Sequence, residues 1–225
     1  MPDTSTPAKR KVLLVEDHPM FRERLAHLIN KELGMTVCGE TDNIREAMEI
    51  ITATKPDVAI VDITLRGSSG LELIKDIKAQ GLSLPVLVLS MHEEDLYAER
   101  ALHAGAQGYI SKNEASSEVI EAIQKVLAGD VYVSSRVTSR ILQRIGKMGD
   151  RADKSAIELL SDRELEVFQL AGRGMNSREI AKELNLSEGT IDSYRFRIRQ
   201  KLNFSSSADF YRQAAQWVAE QQQKH

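Results

Sequence analysis

The sequence predicts two folds in series: an α/β doubly wound five-stranded parallel sheet in the order 2-1-3-4-5, then an all-α four-helix domain containing a helix-turn-helix. Three observations carry this. Short, near-continuous Val/Ile/Leu runs recur up to Ser111 and alternate with stretches of helical period. Parallel strands buried on both faces, joined by crossover helices, produce that pattern. Beyond about residue 158 only helical periodicity remains. Charge divides as well: residues 1–130 carry 14 Lys+Arg against 21 Asp+Glu, and residues 131–225 carry 16 against 12. An acidic front and a basic rear imply different partners, the rear half being a candidate for nucleic acid.

Residues 1–10 read as a disordered polar tail. The first strand, Val12-Leu13-Leu14-Val15, runs into Glu16-Asp17. His18-Pro19 opens a helix, since proline suits the first turn, and Phe21, Leu25, Leu28 and Ile29 share one face. A strand near Thr36–Gly39 follows, then a helix with Ala47, Met48, Ile50 and Ile51 apolar. That helix must stop before Pro56, because a proline pushes its predecessor out of helical geometry. The third strand, Val58 to Val61, ends at Asp62; Gly67-Ser68-Ser69-Gly70 turns into a helix marked by Leu71, Ile74 and Ile77. After Pro85 a fourth strand ends at Ser90, and a weakly amphipathic helix runs from about Glu94 to Ala104. The fifth strand, Gly108 to Ser111, ends at Lys112, and a helix carrying Val119, Ile120, Ile123, Val126 and Leu127 closes the domain at Gly129. Right-handed crossovers wind these βα units into one sheet.

Residues 131–158 read as a linker with one helix, marked by Val137, Ile141, Leu142 and Ile145, and a flexible connector at Gly146-Lys147-Met148-Gly149-Asp150. In the last part, residues 159–225, Ser161-x-x-Glu164 is a capping box ahead of Leu165, Phe168 and Leu170. Ile180, Ala181 and Leu184 mark a short helix stopped at Asn185. Ser187 caps a third helix, Glu188 to about Leu202, and a fourth runs from Ser207 to Glu220. The tight link Asn185-Leu186-Ser187 has helix-turn-helix spacing.

One cysteine, Cys38, excludes an internal disulfide and fits a reducing compartment. No apolar run approaches the roughly 20 residues that span a bilayer, and Met1 to Lys11 lacks the apolar core of a signal peptide. The expectation is a soluble, cytoplasmic protein without a membrane partner.

Ligands of such sheets sit beyond the carboxyl ends of the strands, at the switch point where strands one and three lie side by side. Glu16, Asp17, Asp62, Ser90 and Lys112 therefore meet at one rim. Paired carboxylates there repel unless a cation bridges them, and magnesium (Mg2+) takes one or two carboxylates with waters and substrate oxygens. An ionised aspartate facing a phosphoryl donor is a competent nucleophile. Lys112 can neutralise charge on the phosphoryl oxygens, and Ser90 can donate to one of them.

These residues stand in Leu14-Val15-Glu16-Asp17, Ile60-Val61-Asp62, Leu89-Ser90-Met91-His92 and Gly105-Ala106-Gln107-Gly108-Tyr109-Ile110-Ser111-Lys112. Together they resemble the receiver domain of two-component response regulators, over residues 11–130. The resemblance implies that Asp62 accepts a phosphoryl group from a sensor histidine kinase. It implies that Asp17 and the carbonyl of Thr64 bind magnesium, with Glu16 acting through the metal's water shell, and that Ser90 and Tyr109 form a switch pair. Two departures stand out: Arg66 where the family often has proline, and Met91 where many relatives carry a small residue. Met91 is expected to narrow the approach of water and prolong the phosphoaspartate.

Residues 159–221 resemble the LuxR/NarL-type DNA-binding domain, through Leu160-Ser161-Asp162-Arg163-Glu164-Leu165-Glu166-Val167, Ser177-Arg178-Glu179-Ile180-Ala181, Leu186-Ser187-Glu188-Gly189-Thr190-Ile191 and Arg199-Gln200-Lys201-Leu202. The third helix would be the recognition helix. At helical spacing Ile191, Ile198 and Leu202 fall on one side, within about 40°. Gly189, Ser193, Phe196, Arg197 and Gln200 fall opposite, with Asp192 and Arg199 on a flank. Arg197 suits a guanine edge, Gln200 an adenine and Phe196 a thymine methyl. Thr190, Arg199 and Lys201 suit phosphates. Asp192 departs from the lysine many relatives carry; an acid there weakens phosphate attraction, though it could contact DNA by accepting from a cytosine amino group. Phe210, Ala214 and Trp217 on one side of the last helix suggest a dimer surface, with core packing inside the domain as the alternative for some of the same side chains.

The reading is a phosphorylation-switched transcription regulator that binds double-stranded DNA as a homodimer, enzymatic only toward its own phosphorylation and dephosphorylation. Its rivals are a regulator of the same architecture indifferent to phosphate, and a tail, marked by Asp192, that recognises protein. A magnesium-dependent phosphohydrolase is the enzyme rival, although such folds usually place a second acid where this chain has Thr64.

Overall fold

In the computed structural model, which describes residues 8–91, 94–146 and 156–222, the chain divides into two units, residues 1–147 and 148–225. The first is built on five parallel strands: β1 (Arg10–Val15), β2 (Met35–Thr41), β3 (Val58–Asp62), β4 (Val86–Ser90) and β5 (Gly108–Ser111). Their order is β2-β1-β3-β4-β5, as the sequence predicts. Register brings Val15 beside Val61 and Leu89 beside Asp62, so the polar residues that follow β1 and end β3 emerge at one edge. Residues 1–7 of the expected tail lie outside the described residues; Arg10, assigned to that tail, already pairs with Met35.

Five helices cover the sheet: α1 (Pro19–Lys31), α2 (Ile44–Thr54), α3 (Gly70–Ala79), α4 (Glu94–Ala104) and α5 (Ala115–Leu127). Alternate strand residues face opposite sides. Val12, Leu14, Val58, Ile60, Leu87, Leu89 and Ile110 pack against Leu25, Ala26 and Ile29 of α1 and Val119, Ala122, Ile123 and Val126 of α5 in one buried cluster. Each buried Val, Leu or Ile side chain among them contributes about 1.5–3 kcal/mol, so this face anchors the rim. Asn43 caps α2 by accepting from the Glu46 amide.

Beyond residue 130, where the sequence reading ends the domain, the chain stays on the sheet. Tyr132 bridges to Gly108: its carbonyl accepts from the Tyr109 amide at 2.8 Å, and its amide donates to the Gln107 carbonyl at 2.9 Å. Its hydroxyl donates to Glu118 at 2.9 Å, and burial together with that carboxylate pushes the phenol up to about 12. The linker helix α6 (Ser135–Gly146) then packs on α4, with Val137 buried. Most of the expected connector, from Lys147, lies outside the described residues.

The second unit opens with a 3-10 turn, Ala156–Leu159, and continues through α7 (Asp162–Gly172), α8 (Ser177–Glu183), α9 (Glu188–Leu202) and α10 (Ser207–Gln222). Ser161 and Glu164 form the predicted capping box. Asn185 takes the left-handed conformation (φ 52°) that ends α8. Phe168 of α7 stacks on Phe204 at 6.1 Å, meets Phe210 edge-on at 5.7 Å and contacts Trp217 at 5.9 Å. Phe210 and Ala214 are fully buried in this aromatic core. The α10 face that suggests a dimer surface therefore packs inside the domain against α7, the second of the two readings. No helix among the described residues is long and apolar enough to cross a membrane.

Candidate functional site

The rim of the first unit is organised around one lysine. Lys112 Nζ lies 2.7 Å from Asp62 Oδ2 and 2.7 Å from Glu16 Oε2, and all three side chains are buried. Its backbone amide donates to the Ser90 carbonyl at 2.8 Å, which ties the end of β5 to the end of β4. The Phe21 ring of α1, 4.9 Å from Nζ, closes one side. Ser90 is completely buried, and Tyr109, on the adjacent strand, is 1% exposed. The Thr64 amide donates to Asp62 Oδ1 at 3.2 Å. Glu16, Asp17, Asp62, Ser90 and Lys112 thus end or follow strands, Thr64 lies in the loop after β3, and Tyr109 lies within β5.

Electrostatics at the rim follow from burial. Desolvation pushes the Asp62 carboxyl up to about 7, against the opposing pull of Lys112. Burial also raises Asp17, with His18 opposing. For Lys112 burial works against the charge, but Asp62 and Glu16 outweigh it and hold the ammonium above the usual lysine value. His18, read from sequence only as a helix opener, joins the site: Nδ1 is 2.8 Å from Asp17 Oδ1 and 3.1 Å from Glu16 Oε1.

One ligand atom from each of Glu16, Asp17, His18 and Asp62 falls within 4.8 Å of the others. Glu16 Oε2 and Asp17 Oδ1 are buried and accept no hydrogen bond of ordinary geometry, although Lys112 and His18 approach them closely. Buried carboxylate oxygens left in this state favour a small cation, and a hard, oxygen-rich donor set suits magnesium.

A short hairpin, Thr64–Leu65 with Ser68–Ser69, leads from β3 into α3. The Gly70 amide donates to the Ile63 carbonyl at 2.7 Å. A Cβ on Gly70 would lie 1.9 Å from the Asp62 carbonyl oxygen. Glycine here lets the helix start pass directly behind the acidic residue.

In the second unit, α8 and α9 are joined through Asn185-Leu186-Ser187, with the Leu186 amide bonded to the Ala181 carbonyl at 2.8 Å. Ile191 and Ile198 are fully buried, while Gly189, Ser193, Phe196, Arg197 and Gln200 are exposed, so α9 presents the predicted face. Phe196 is 55% exposed. Thr190 bonds to its cap Ser187 (hydroxyl to hydroxyl, 2.8 Å), and Arg199 donates to the Ser207 hydroxyl at 3.3 Å. Arg197 lies over the Tyr194 ring at 4.8 Å. Lys201 is placed differently from expectation: Nζ donates to Glu164 Oε2 at 2.6 Å, tying α9 to α7. Burial opposes that carboxylate's charge, yet Lys201 and Ser161 hold its pKa below the usual value.

Comparison with known proteins agrees with both units. Residues 12–124 match the model of the response regulator receiver domain, and residues 158–214 match the LuxR family of bacterial regulatory proteins. The chain is 40% identical over 198 residues to the virulence-factor transcription regulator BvgA of Bordetella pertussis, covering 87% of this chain and 92% of that one. It is 30% identical to the response regulator UvrY of Escherichia coli K12, covering 88% and 90%. Among solved structures, the Salmonella typhimurium response regulator RcsB superposes with a TM-score of 0.54 at 25% identity, covering 92% of this chain and 98% of that one. With a receiver domain in front and a LuxR-type helix-turn-helix behind, the chain belongs to the LuxR-type response regulators, the transcription regulators of two-component systems.

Proposed function

We propose that this regulator is switched by phosphorylation of Asp62 and binds double-stranded DNA as a dimer. The observation that carries this reading is the convergence of Glu16, Asp17 and Asp62 on Lys112 at one strand rim. An Asp62 carboxylate oxygen attacks the phosphorus of a phosphohistidine on the sensor kinase; the new O–P bond forms as the P–N bond breaks, and the imidazole leaves. Lys112, already charged and immobilised, turns from Asp62 to the incoming phosphoryl oxygens. Magnesium, held by Asp17, Asp62 and the Thr64 carbonyl with Glu16 behind its waters, would neutralise the remaining phosphoryl charge. The added charge, about −1.5 to −2, attracts the Ser90 hydroxyl, and Tyr109 follows behind it. Because the Tyr109 amide is bonded to Tyr132, that movement reaches the linker directly.

The DNA half of the reading draws support from RcsB, which has been solved in complex with DNA and as two dimers on two parallel DNAs. Thr190, Ser193, Phe196, Arg197, Arg199 and Gln200 would meet the groove and its phosphates. Lys201, paired with Glu164, instead braces the helix, and Asp192, though exposed, is bonded to Ser177 and Arg195, as described below. Work on DNA is consistent with the cytoplasmic location expected from the sequence.

Nuclease footprinting on fragments selected from random DNA tests the switch. Protection should strengthen when acetyl phosphate is supplied with magnesium, and protection indifferent to the phosphodonor would favour the constitutive rival. Magnesium affinity, followed by calorimetry, should weaken as pH falls through about 7, because the Asp62 carboxyl, raised by burial, takes up a proton that the ion must displace. Met91 stands 64% exposed beside Ser90. Met91→Ala should hydrolyse its phosphoaspartate severalfold faster; an unchanged rate removes any role for that side chain in shielding the site.

A further inference from the structure

Arg195 is used by nothing in the recognition face, yet its side chain is largely buried and held on several sides. Its guanidinium carbon sits 4.7 Å from the Tyr211 ring centre and 5.5 Å from that of Phe210, both on α10. Aromatic seating fixes a guanidinium in place. Nη1 donates to the Ser177 hydroxyl at the start of α8 and lies 3.3 Å from Asp192 Oδ1. Ser177 donates in turn to the same Asp192 oxygen at 2.9 Å. Arg195 Nε is buried without an acceptor. Two donors on different helices therefore converge on one carboxylate oxygen, while the Asp192 side chain remains 64% exposed beside the groove-facing residues.

An immobilised arginine and a hydroxyl aimed at a single oxyanion also meet the requirements of a phosphate oxygen. The first helix of a helix-turn-helix crosses the DNA backbone, and Ser177 lies at its start. We propose that Ser177 and Arg195 form a cradle for a DNA backbone phosphate, and that the Asp192 carboxylate occupies it as a built-in competitor. The proposal rests on the DNA-binding reading above. Asp192 then holds affinity down: DNA gains this contact only by displacing the carboxylate, and until then Arg195 and Asp192 neutralise each other.

The full-length protein can be tested against a random-sequence DNA duplex over a range of salt concentrations. Asp192→Ala, which empties the cradle, and Asp192→Asn, which leaves it a neutral occupant, should bind severalfold more tightly than the unmodified protein. The salt dependence should steepen by about one phosphate's worth, ~0.9 in log K against log salt. Adding Arg195→Gln to either variant should remove both changes. Glu188→Gln removes an exposed acid from the same helix without touching the cradle, and should leave the slope alone. An unchanged slope in Asp192→Ala, or the same steepening in Glu188→Gln, overturns the proposal. A DNA-free measurement separates the two readings: inorganic phosphate should shift the Arg195 Nε–H resonance in Asp192→Ala but not in the unmodified protein. That shift without duplex binding by any variant would sink the DNA reading and leave the anion cradle standing; no shift overturns the cradle.

Discussion

Asp62→Asn should take up no hydroxylamine-labile acyl phosphate from a kinase or from acetyl phosphate, where the unmodified protein incorporates it. The amide is nearly isosteric, so the sheet should stay intact, but a neutral carboxamide oxygen is no nucleophile toward phosphorus. The substitution also removes one charge from the Lys112 ion pair, leaving Glu16 as the lysine's remaining carboxylate at 2.7 Å. Because Asp62 is carried at a raised pKa by burial, losing its charge lifts a desolvation penalty as well as an attraction, and the two offset in part. Thermal stability should therefore change far less than phosphate uptake. Undiminished incorporation in Asp62→Asn would mean that the phosphoryl group goes elsewhere, and the rim would lose its assigned role.

Gly70→Ala is expected to produce the largest structural effect of any single added methyl near the site. Its Cβ would stand 1.9 Å from the Asp62 carbonyl oxygen and 2.8 Å from Val61 Cγ1. Nothing flexible can yield, because the obstructing atom is backbone in a central strand. Overpacking a core typically costs about 1–3 kcal/mol, and a backbone collision places this variant at or above the top of that range. Relief must come from moving the start of α3 or from shifting Asp62. Chemical denaturation should show the loss, and any folded fraction should phosphorylate slowly because the nucleophile is displaced. A variant that matches the unmodified protein in both measurements would show that the helix start is looser than its bonding to Ile63 implies.

The parts of this architecture that were legible in the sequence are those written in local pattern. Apolar runs mark four of the five strands, the second being the mixed stretch Met35–Thr41, and chain topology puts Asp17 beside Asp62. Caps at Ser161 and Ser187 and the stop at Asn185 set the helix boundaries of the second unit. What escaped was side-chain pairing between distant segments. Lys201 finds Glu164 on another helix, and Ser177 finds Asp192 across the turn, so residues read as groove cations or anomalies become internal partners. Period alone showed that Phe210, Ala214 and Trp217 share a face, but not that Phe168 covers it. His18 looked like punctuation before Pro19, although its ring reaches two acids. Tyr132 pairs through a single bridge, too short for any alternation of apolar and polar residues to announce a strand.

That single bridge bears on how the molecule can be divided. The outer flank of β5 would otherwise offer unpaired amides and carbonyls to any passing extended segment, which is how sheets recruit strangers. Here the chain's own continuation seals it, with Tyr132 bonded on both sides of Gly108. A fragment trimmed after Asp130 would keep every residue of the phosphoryl site yet carry a sticky border, inviting clumping unrelated to signalling. Fragments that retain the next seventeen positions carry their own guard.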